Sequence, residues 1–339
     1  MTNPENPLQT IDISKVTKEC LKELLNAATT QGFLFVEGHG FSQEEVTTLF
    51  QLSKQFFELP KEYKEKYPIS KTNHGYSKMG EEALDDLTKK ADPKEALNFA
   101  CLNFITGLSS ENVPDWFEIE PERLEIVRNA GIKLYDLSVR ILKILAIGLE
   151  IEDTEECKGE DWFASRYAPE KESGTTFRFL HYPGQKSELP EEVVRAGAHT
   201  DYGSMTLLLQ QEGEEGLQIY SPVAKKWQPV PFVGADTKKF PGAAPPIVVN
   251  IADQLSYWTA GLLKLTIHRV VFPPEVQESG KDRYSIVFFS HPNDDTQLEP
   301  VPSPLVKSIE GRGANKAGAK VITAREHLDK RLASTYGWY

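Results

Sequence analysis

Residues 196–209 read Ala-Gly-Ala-His-Thr-Asp-Tyr-Gly-Ser-Met-Thr-Leu-Leu-Leu, and this stretch points to a β fold. Met205, Leu207 and Leu209 alternate with the residues between them, a period of two that places successive side chains on opposite faces of a strand. The Asp-Tyr-Gly-Ser run before them is typical of a turn. The stretch therefore predicts two short strands joined by a turn.

Similar short apolar runs, separated by turn residues, continue from about residue 162 to residue 290. The predicted strands are Thr175–Tyr182, Ala196–Asp201, Met205–Leu209, Leu217–Tyr220, Trp227–Val230, Ile247–Ile251, Leu255–Trp258, Leu265–Phe272 and Tyr284–Ser290. Eight or nine short strands in about 130 residues predict a sandwich or jelly roll rather than βαβ units.

The first third of the chain predicts helices around one early strand. Apolar residues recur at helical spacing over Val16–Ala28, and Gly32–Val36 is a short apolar run that predicts a buried strand. Residues 42–45 read Ser-Gln-Glu-Glu, a capping box that begins a second helix. Turn formers are frequent over residues 68–120, which we predict to be mostly irregular.

We predict a mainly β fold with flanking helices (α+β), a double-stranded β-helix or jelly roll with an N-terminal region packed on it. The N-terminal region comprises residues 1–120, and the jelly-roll core comprises residues 161–292. Residues 121–160 hold a long helix that is apolar nearly all round in its second half, typical of a buried scaffold. Residues 293–339 form a C-terminal loop and helix, the helix from Thr323 to about Thr335.

The charge balance argues against two classes of partner. The 339 residues include 38 Lys and Arg against 50 Asp and Glu, a net charge of −12. Non-specific binding to nucleic acids or anionic membranes needs the opposite sign, so we expect neither partner. The most apolar stretch, Leu137–Ile151, is interrupted by charges and too short to span a bilayer. We expect a monomer that acts on a small molecule.

Cysteine usage and the N-terminus favour the cytoplasm. Cys20, Cys101 and Cys157 lie far apart, and no CxxC pair is present, so neither a disulfide framework nor a thiolate zinc site is expected. The first ten residues lack the basic flank and apolar run of a signal peptide.

Two histidines and one aspartate are the candidate metal ligands. In the predicted strand Ala196–Asp201, His199 and Asp201 project from one face, although this pair alone fits a strand-end His beside a surface Asp. His268 interrupts an apolar strand, where the alternative is a buried, hydrogen-bonded imidazole. Together the three can occupy one face of an octahedron, the facial triad of non-haem Fe(II) oxygenases. Three coordination positions then stay open for substrate and O₂.

Arg283 and Ser285 share a face of the last predicted strand of the core. A guanidinium presents a planar fork that binds a carboxylate through two hydrogen bonds, and a hydroxyl beside it adds a third. On its own, an arginine at a strand start is usually a solvated charge. Following the His-x-Asp pair and His268, it favours a carboxylate clamp.

Taken together, these motifs resemble those of the 2-oxoglutarate/Fe(II)-dependent dioxygenases of the isopenicillin-N-synthase-like type, over nearly the whole chain. The N-terminal matches are GFLFVEGHG at residues 32–40, FFELPK at 56–61 and GY at 75–76. The core matches are LHYP at 180–183, HTDYG at 199–203, NIAD at 250–253, HRV at 268–270 and RYS at 283–285.

The resemblance implies roles for six residues. His199, Asp201 and His268 would ligate Fe(II), Arg283 and Ser285 would hold the C5 carboxylate of 2-oxoglutarate, and Tyr182 would hydrogen-bond near that cosubstrate. With 2-oxoglutarate and O₂ as cosubstrates, such an enzyme hydroxylates, desaturates or cyclises a small organic metabolite and releases succinate and CO₂. His39, in the Gly-His-Gly turn, is expected to be structural.

Two alternatives stay open at this point. One is an Fe(II) oxidase of the same fold that does not use 2-oxoglutarate, and the other is a non-catalytic jelly-roll binding protein. The sequence departs from the family pattern at Ala252, where the family usually has Gly, and at Ala260, where it often has Asn. Two insertions, Gly234–Ala244 and Pro273–Lys281, lengthen turn-rich loops. Loops at Asn73–Ser77, at Lys94–Phe104 and around His181 are expected to line the substrate pocket.

Overall fold

The computed structural model describes residues 6–85, 89–184, 193–272, 274–309, 311–316, 318 and 320–336. Strands and helices are numbered here in chain order. The larger sheet has eight strands in the order β1 (Thr10–Asp12), β2 (Phe33–Glu37), β12 (Ile247–Ile251), β9 (Met205–Leu209), β14 (Arg283–Ser290), β7 (Thr176–Tyr182), β4 (Glu95–Phe99) and β3 (Gly75–Ser77). The smaller sheet has the order β11 (Trp227–Pro229), β10 (Leu217–Tyr220), β13 (His268–Phe272) and β8 (Val193–His199).

The inner faces of these two sheets pack on each other, as a jelly roll requires. Leu180 and Val287 of the larger sheet lie in one buried cluster with Ala196, Val270 and Phe272 of the smaller sheet. A separate two-stranded sheet joins β5 (Leu102–Asn103) and β6 (Leu108–Ser109). The predicted mainly β fold with flanking helices is confirmed.

Helices α1, α2 and α5 pack against strands of the larger sheet. The helices of the described residues are α1 (Lys18–Thr30), α2 (Gln43–Phe57), α3 (Lys61–Lys64), α4 (Trp116–Ile119), α5 (Pro121–Gly148), α6 (Asp253–Trp258), α7 (Pro274–Ser279), α8 (Pro304–Lys307) and α9 (Ala324–Tyr336). The predicted capping box begins α2, where Ser42 and Glu45 each bond the other's backbone N–H. The long helix α5 packs against α1, β9 and β14, and Leu134, Ile141 and Leu145 are buried in the main core.

Strands from the N-terminal region complete the larger sheet. β2 lies between β1, with which it runs parallel, and β12, with which it runs antiparallel. β4 pairs with β7 at the other end of the sheet. The N-terminal region therefore contributes strands to the larger sheet as well as helices that pack on it. The division of the chain into four regions stays a prediction. Among the described residues, no helix combines the length and apolar composition needed to span a membrane.

Two predictions of local structure are wrong, and a third is incomplete. Leu255–Trp258 lies in the helix α6, because an apolar run of four residues cannot distinguish a strand from a buried helical turn. The described part of residues 68–120 is mostly irregular, as predicted, but it also contains the short strands β3 to β6, and β4 joins the larger sheet through β7. Asp201 lies two residues beyond the end of β8 rather than inside a strand.

The two predicted insertions lie outside the sheets. Residues 234–244 pack against the N-terminal region, where Gly242 O accepts a hydrogen bond from Gln43 N at 2.9 Å and Lys239 Nζ lies 2.9 Å from Asp12 Oδ2. The second insertion contains α7, and Pro273 lies outside the described residues. Residues 1–5, Ala317 and Ala319 also lie outside the described residues, in the predicted N-terminal region and C-terminal loop.

Candidate active site

The two sheets bring His199, Asp201 and His268 together, as predicted. His199 ends β8 and His268 begins β13, and the two residues are direct partners across the antiparallel pair. One ligand atom from each of the three residues lies within 4.8 Å of the other two. Asp201 Oδ1 lies 3.5 Å from His268 Nε2 and 3.7 Å from His199 Nε2. Two imidazole nitrogens and one carboxylate oxygen thus converge on one point.

Asp201 is held so that one carboxylate oxygen faces this point. Thr206 Oγ1 donates to Asp201 Oδ2 at 2.6 Å, and Asn250 Nδ2 donates to the same oxygen at 2.9 Å. Oδ1 stays directed toward the two histidines. Because Thr206 lies on β9 and Asn250 on β12, neighbouring strands of the larger sheet fix the carboxylate.

Backbone hydrogen bonds from the first residues of α6 hold the turn that carries Asp201. Asp253 N donates to Asp201 O at 2.9 Å, and Gln254 N donates to Gly203 O at 2.9 Å. A side chain at Gly203 would meet Ser290 O at 2.5 Å, so the close approach of β14 requires glycine here. Ala252 takes an extended backbone at the start of α6, which any residue can adopt, so this departure from the family pattern leaves the turn intact.

Hydrogen bonds and burial suit the imidazoles to metal binding. The ring nitrogen Nδ1 of His199 lies 2.7 Å from Gly197 O, which leaves Nε2 free to act as a ligand. Burial and the neighbouring His268 lower the pKa of His199 to about 3, so this ring is neutral. Burial also lowers the pKa of His268, but the Asp201 carboxylate outweighs it and the net pKa is raised. Burial raises the pKa of Asp201, but the two neighbouring histidines lower it by more. The net pKa therefore lies below the usual value, and the carboxylate is ionised.

A cavity on one side of the triad, here called the inner cavity, lies between the sheets. It is lined in part by Tyr182, His199, Asp201, His268, Arg283 and Ser285. Arg283 and Ser285 lie on β14, opposite Tyr182 and Leu180 of β7. The structure thus places the three predicted cosubstrate residues in one cavity with the triad.

Two buried polar groups in the inner cavity have no hydrogen-bond partner among the residues that the structure describes. Arg283 is only 2% exposed, and its Nε donates to Glu214 O at 2.8 Å, but its Nη1 is unbonded. The hydroxyl of Ser285 is fully buried and also unbonded. Tyr182 packs over the guanidinium, with its ring centre 5.1 Å from Cζ. Two unsatisfied buried donors side by side match a ligand carboxylate.

A second cavity, here called the outer cavity, lies on the other side of the triad. It shares Leu180, Tyr182, His199, Asp201 and Phe289 with the inner cavity and is otherwise lined by residues that include Asn73, Glu82, Lys94, Arg178 and Leu328. All three predicted pocket segments contribute to it, the one around His181 through Leu180 and Tyr182. His181 points the other way, where its Nδ1 lies 2.8 Å from Glu95 Oε1.

Four charged groups in and beside the outer cavity pair with one another. Arg178 binds Glu82 with both terminal nitrogens, at 2.7 and 3.3 Å, and Asn98 Oδ1 with Nε at 2.6 Å. Lys94 Nζ lies 2.9 Å from Glu82 Oε2 and 3.6 Å from Asp92 Oδ2. All four charged side chains are at most 7% exposed. The network contains two positive and two negative charges.

Comparison with known proteins identifies the family. The family described as the 2OG-Fe(II) oxygenase superfamily matches residues 163–292, and the non-haem dioxygenase N-terminal family, described from morphine synthesis, matches residues 8–118. A UPF0676 protein of Schizosaccharomyces pombe is 32% identical over 97% of this chain and 92% of its own length. This chain is a 2-oxoglutarate- and Fe(II)-dependent oxygenase.

Relatives and solved structures of this oxygenase support the assignment. A homoarginine-6-hydroxylase of Arabidopsis thaliana is 27% identical, over 97% of both chains. A full-length Neurospora crassa protein, crystallised with alpha-KG and 5-formyluracil, superposes with a TM-score of 0.77 at 26% identity, covering 99% of this chain and 98% of that one. The cosubstrates are therefore 2-oxoglutarate and O₂ with Fe(II), and the comparisons do not favour the oxidase or the binding protein.

Sequence reasoning missed most of the polar groups that surround the triad of the oxygenase. Thr206 and Asn250 had a signal, since each interrupts an apolar strand on the side that faces inward. Glu82 and Lys94 had none, because they lie in a segment without periodicity. His39 lies away from the site, where its ring accepts from Phe41 N at 3.1 Å and contacts Pro245 O at 3.1 Å.

Proposed function

We propose that His199, Asp201 and His268 hold the Fe(II) of this oxygenase. The support is the convergence of their ligand atoms within 4.8 Å and the donor set of two imidazoles and one carboxylate, which suits non-haem iron. Hydrogen bonds to the other oxygen of Asp201 and to Nδ1 of His199 orient two of the ligands before the metal arrives.

The C5 carboxylate of 2-oxoglutarate binds Arg283 and Ser285, with Tyr182 beside it. The observation that carries this assignment is the pair of buried, unbonded groups, Arg283 Nη1 and Ser285 Oγ. The carboxylate would satisfy both, and Glu214 O would keep the guanidinium in position through Nε. Fe(II) with bound 2-oxoglutarate supplies the oxidative decarboxylation that gives succinate and CO₂ and the oxidising power that acts on the prime substrate.

The protein positions the cosubstrate and excludes water. Leu180, Val287 and Phe289 project into the inner cavity from β7 and β14, so the space between clamp and triad is apolar. A charged cosubstrate is then held by its two ends, while the apolar walls keep solvent away from the reacting centre.

The prime substrate is a small neutral molecule that binds in the outer cavity. Both acids and both bases of the network there are already paired, so a charged substrate would leave one of them unpaired and buried. Burial also lowers the pKa of His291 to about 3, which keeps this lining residue neutral. The network therefore favours a neutral polar ring, of which the thymine bound by the Neurospora protein is an example, over a cationic amino acid such as homoarginine.

Release of labelled succinate from labelled 2-oxoglutarate tests this assignment. We expect thymine or another neutral heterocycle to stimulate the release above the uncoupled rate, and homoarginine to leave it unchanged. Stimulation by homoarginine alone would overturn the neutral class. Absence of any O₂-dependent succinate from the iron-loaded protein would overturn the assignment of the clamp.

Composition supports proposals on the location, oligomeric state and partners of the enzyme. The cytoplasm suits a protein whose three cysteines are all free thiols. A monomer that binds neither nucleic acid nor membrane suits the net charge of −12. Size-exclusion chromatography with light scattering tests the monomer, which a mass near twice 38.1 kDa would contradict.

A further inference from the structure

The C-terminal helix α9 lies along the outer cavity with one face. Leu328 and Leu332, one helical turn apart, line this cavity beside Phe289 and Tyr202. Both leucines are 6% exposed, whereas Lys330 between them is exposed. The helix thus supplies one wall of the cavity with two aliphatic side chains, on a side where neither sheet contributes a wall.

The start of α9 is fixed to the core by hydrogen bonds. Thr323 and Glu326 form a capping box, with Glu326 N donating to Thr323 Oγ1 at 3.1 Å and Thr323 N donating to Glu326 Oε2 at 3.0 Å. Ala324 N donates to Thr296 O at 2.9 Å, and Gln254 Nε2 donates to Ala324 O at 3.3 Å. These bonds set where the helix begins.

Farther along, α9 is attached to the metal-binding turn itself. Arg331 Nη2 donates to Thr200 Oγ1 at 3.3 Å, and Thr200 lies between His199 and Asp201. The same guanidinium lies 4.8 Å from the ring centre of Tyr202, and its Nε lies 3.6 Å from Asp253 Oδ2. The distance between the leucines and the triad is therefore fixed by direct contacts.

Glycine at position 174 allows the helix to come this close. A Cβ atom at Gly174 would lie 2.3 Å from Leu328 Cδ2, so α9 or the leucine would have to move if any other residue stood there. Gly174 precedes β7 and lines the same cavity. The helix and the sheet are therefore in contact at the cavity edge.

We infer that α9 is the specificity wall of the outer cavity and that Leu328 and Leu332 set the size of the ring that can reach the metal. This inference rests on the proposed function only in placing the prime substrate in the outer cavity. Shortening a leucine would admit a larger ring, and lengthening one would exclude it, while the metal ligands stay in place.

Neutral azoles that bind the metal directly test the wall without the prime substrate. The probes are imidazole and 4-phenylimidazole, added to the full-length enzyme loaded with Co(II) and 2-oxoglutarate, and binding is read from the visible spectrum of the cobalt. We expect Leu332→Ala to tighten 4-phenylimidazole by about 10-fold or more, because the extra ring gains space. Imidazole should bind within about twofold of wild type.

Matched variants separate the wall from general damage to the fold. Lys330→Ala, on the exposed face of α9, should leave the affinity for both probes unchanged. Leu332→Phe should weaken the binding of 4-phenylimidazole but not that of imidazole. Gly174→Ala should also weaken the binding of 4-phenylimidazole. Adding Leu328→Ala should restore that binding, because the new methyl group at position 174 then occupies space that the leucine side chain has left.

Two results would overturn the inference. One is equal binding of 4-phenylimidazole by Leu332→Ala and Lys330→Ala, and the other is a parallel change for both azoles, which would indicate altered metal geometry. Azole binding is measured without turnover. This test therefore stays valid even if the succinate assay contradicts the proposal of a neutral substrate.

Discussion

The inner and outer cavities each contain one buried arginine, and the two arginines differ in their pairing. Arg178 in the outer cavity binds Glu82 with both terminal nitrogens and Asn98 with Nε. Arg283 in the inner cavity donates from Nε to Glu214 O and lies beside Tyr182, while its Nη1 has no partner among the described residues. The side chain with an unused donor indicates where a charged ligand belongs.

This difference assigns the two ligands to their sides of the triad. An unsatisfied buried donor costs about 1–3 kcal/mol, so the inner cavity is most stable when a carboxylate fills it. The four charged groups of the outer network are already paired, and a charged ligand would disrupt those pairs. On this ground we propose a charged cosubstrate in the inner cavity and a neutral substrate in the outer one.

The triad stands between the cavities, and removing one of its ligands should have the largest effect. We expect His268→Ala to lose essentially all O₂-dependent succinate formation and to weaken Fe(II) binding by more than about 100-fold, since even an outer-shell change costs about 10–100-fold. Metal analysis and Fe(II) titration measure this. The matched histidine variant His39→Ala should keep its iron, and full iron content in His268→Ala would contradict the site.

The outer network should show its pairing in stability. Glu82→Gln leaves Arg178 and Lys94 with one buried acid between them, so we expect the free energy of unfolding to fall by about 3–5 kcal/mol. Urea denaturation measures it. The control Glu152→Gln breaks an exposed pair with Lys307 and should cost no more than about 1 kcal/mol. An equal loss of unfolding free energy in the two variants would contradict the expected difference between a buried network and a surface pair.

A matched pair of Arg→Lys variants compares the cavities directly. Arg283→Lys keeps the charge but loses the planar fork, so KM for 2-oxoglutarate should rise about 10- to 100-fold with normal iron content. Arg178→Lys should leave this KM unchanged. If both variants raised it, or neither did, the clamp would not lie in the inner cavity.

The smallest effect is expected at Ser285. Ser285→Ala removes one neutral hydrogen bond worth about 0.5–1.5 kcal/mol, so KM for 2-oxoglutarate should rise about 2- to 10-fold. The hydroxyl has no partner in the protein, so the same change should leave the melting temperature of the cosubstrate-free protein equal or higher. A large loss of stability without 2-oxoglutarate would show a structural hydroxyl instead.

Three strands of the core were predictable because turn residues delimit each short apolar run. Met205–Leu209, Leu217–Tyr220 and Ile247–Ile251 have the predicted bounds, whereas β8 and β13, which carry His199 and His268, have other bounds than predicted. His199 and His268 were predicted as partners from chemistry, and the register that places them opposite each other supplies the contact. No local pattern contains that register, because it depends on hydrogen bonds between strands that are distant in the sequence.

The outer cavity shows the limit of sequence reasoning. Lys94 was predicted only as the first residue of a loop that lines the substrate pocket, yet it is 4% exposed and paired with Glu82. Only the folding of that segment against β7 makes the charge a buried one. Such groups are recognised when their partners are known, and the partners here lie 2 to 96 residues away along the chain.

The pairing of β2 with β12 has a consequence for how the protein is made. Phe33 to Val36 bind partners at residues 247–250, more than 200 positions later in the chain. At about 5–20 residues per second, a ribosome needs on the order of 10–40 s to deliver the second strand after the first. During that time β2, a fully apolar strand apart from its last residue, leaves the ribosome with an open edge. The nascent chain is therefore a natural client for a holding chaperone until the middle of the core has been synthesised.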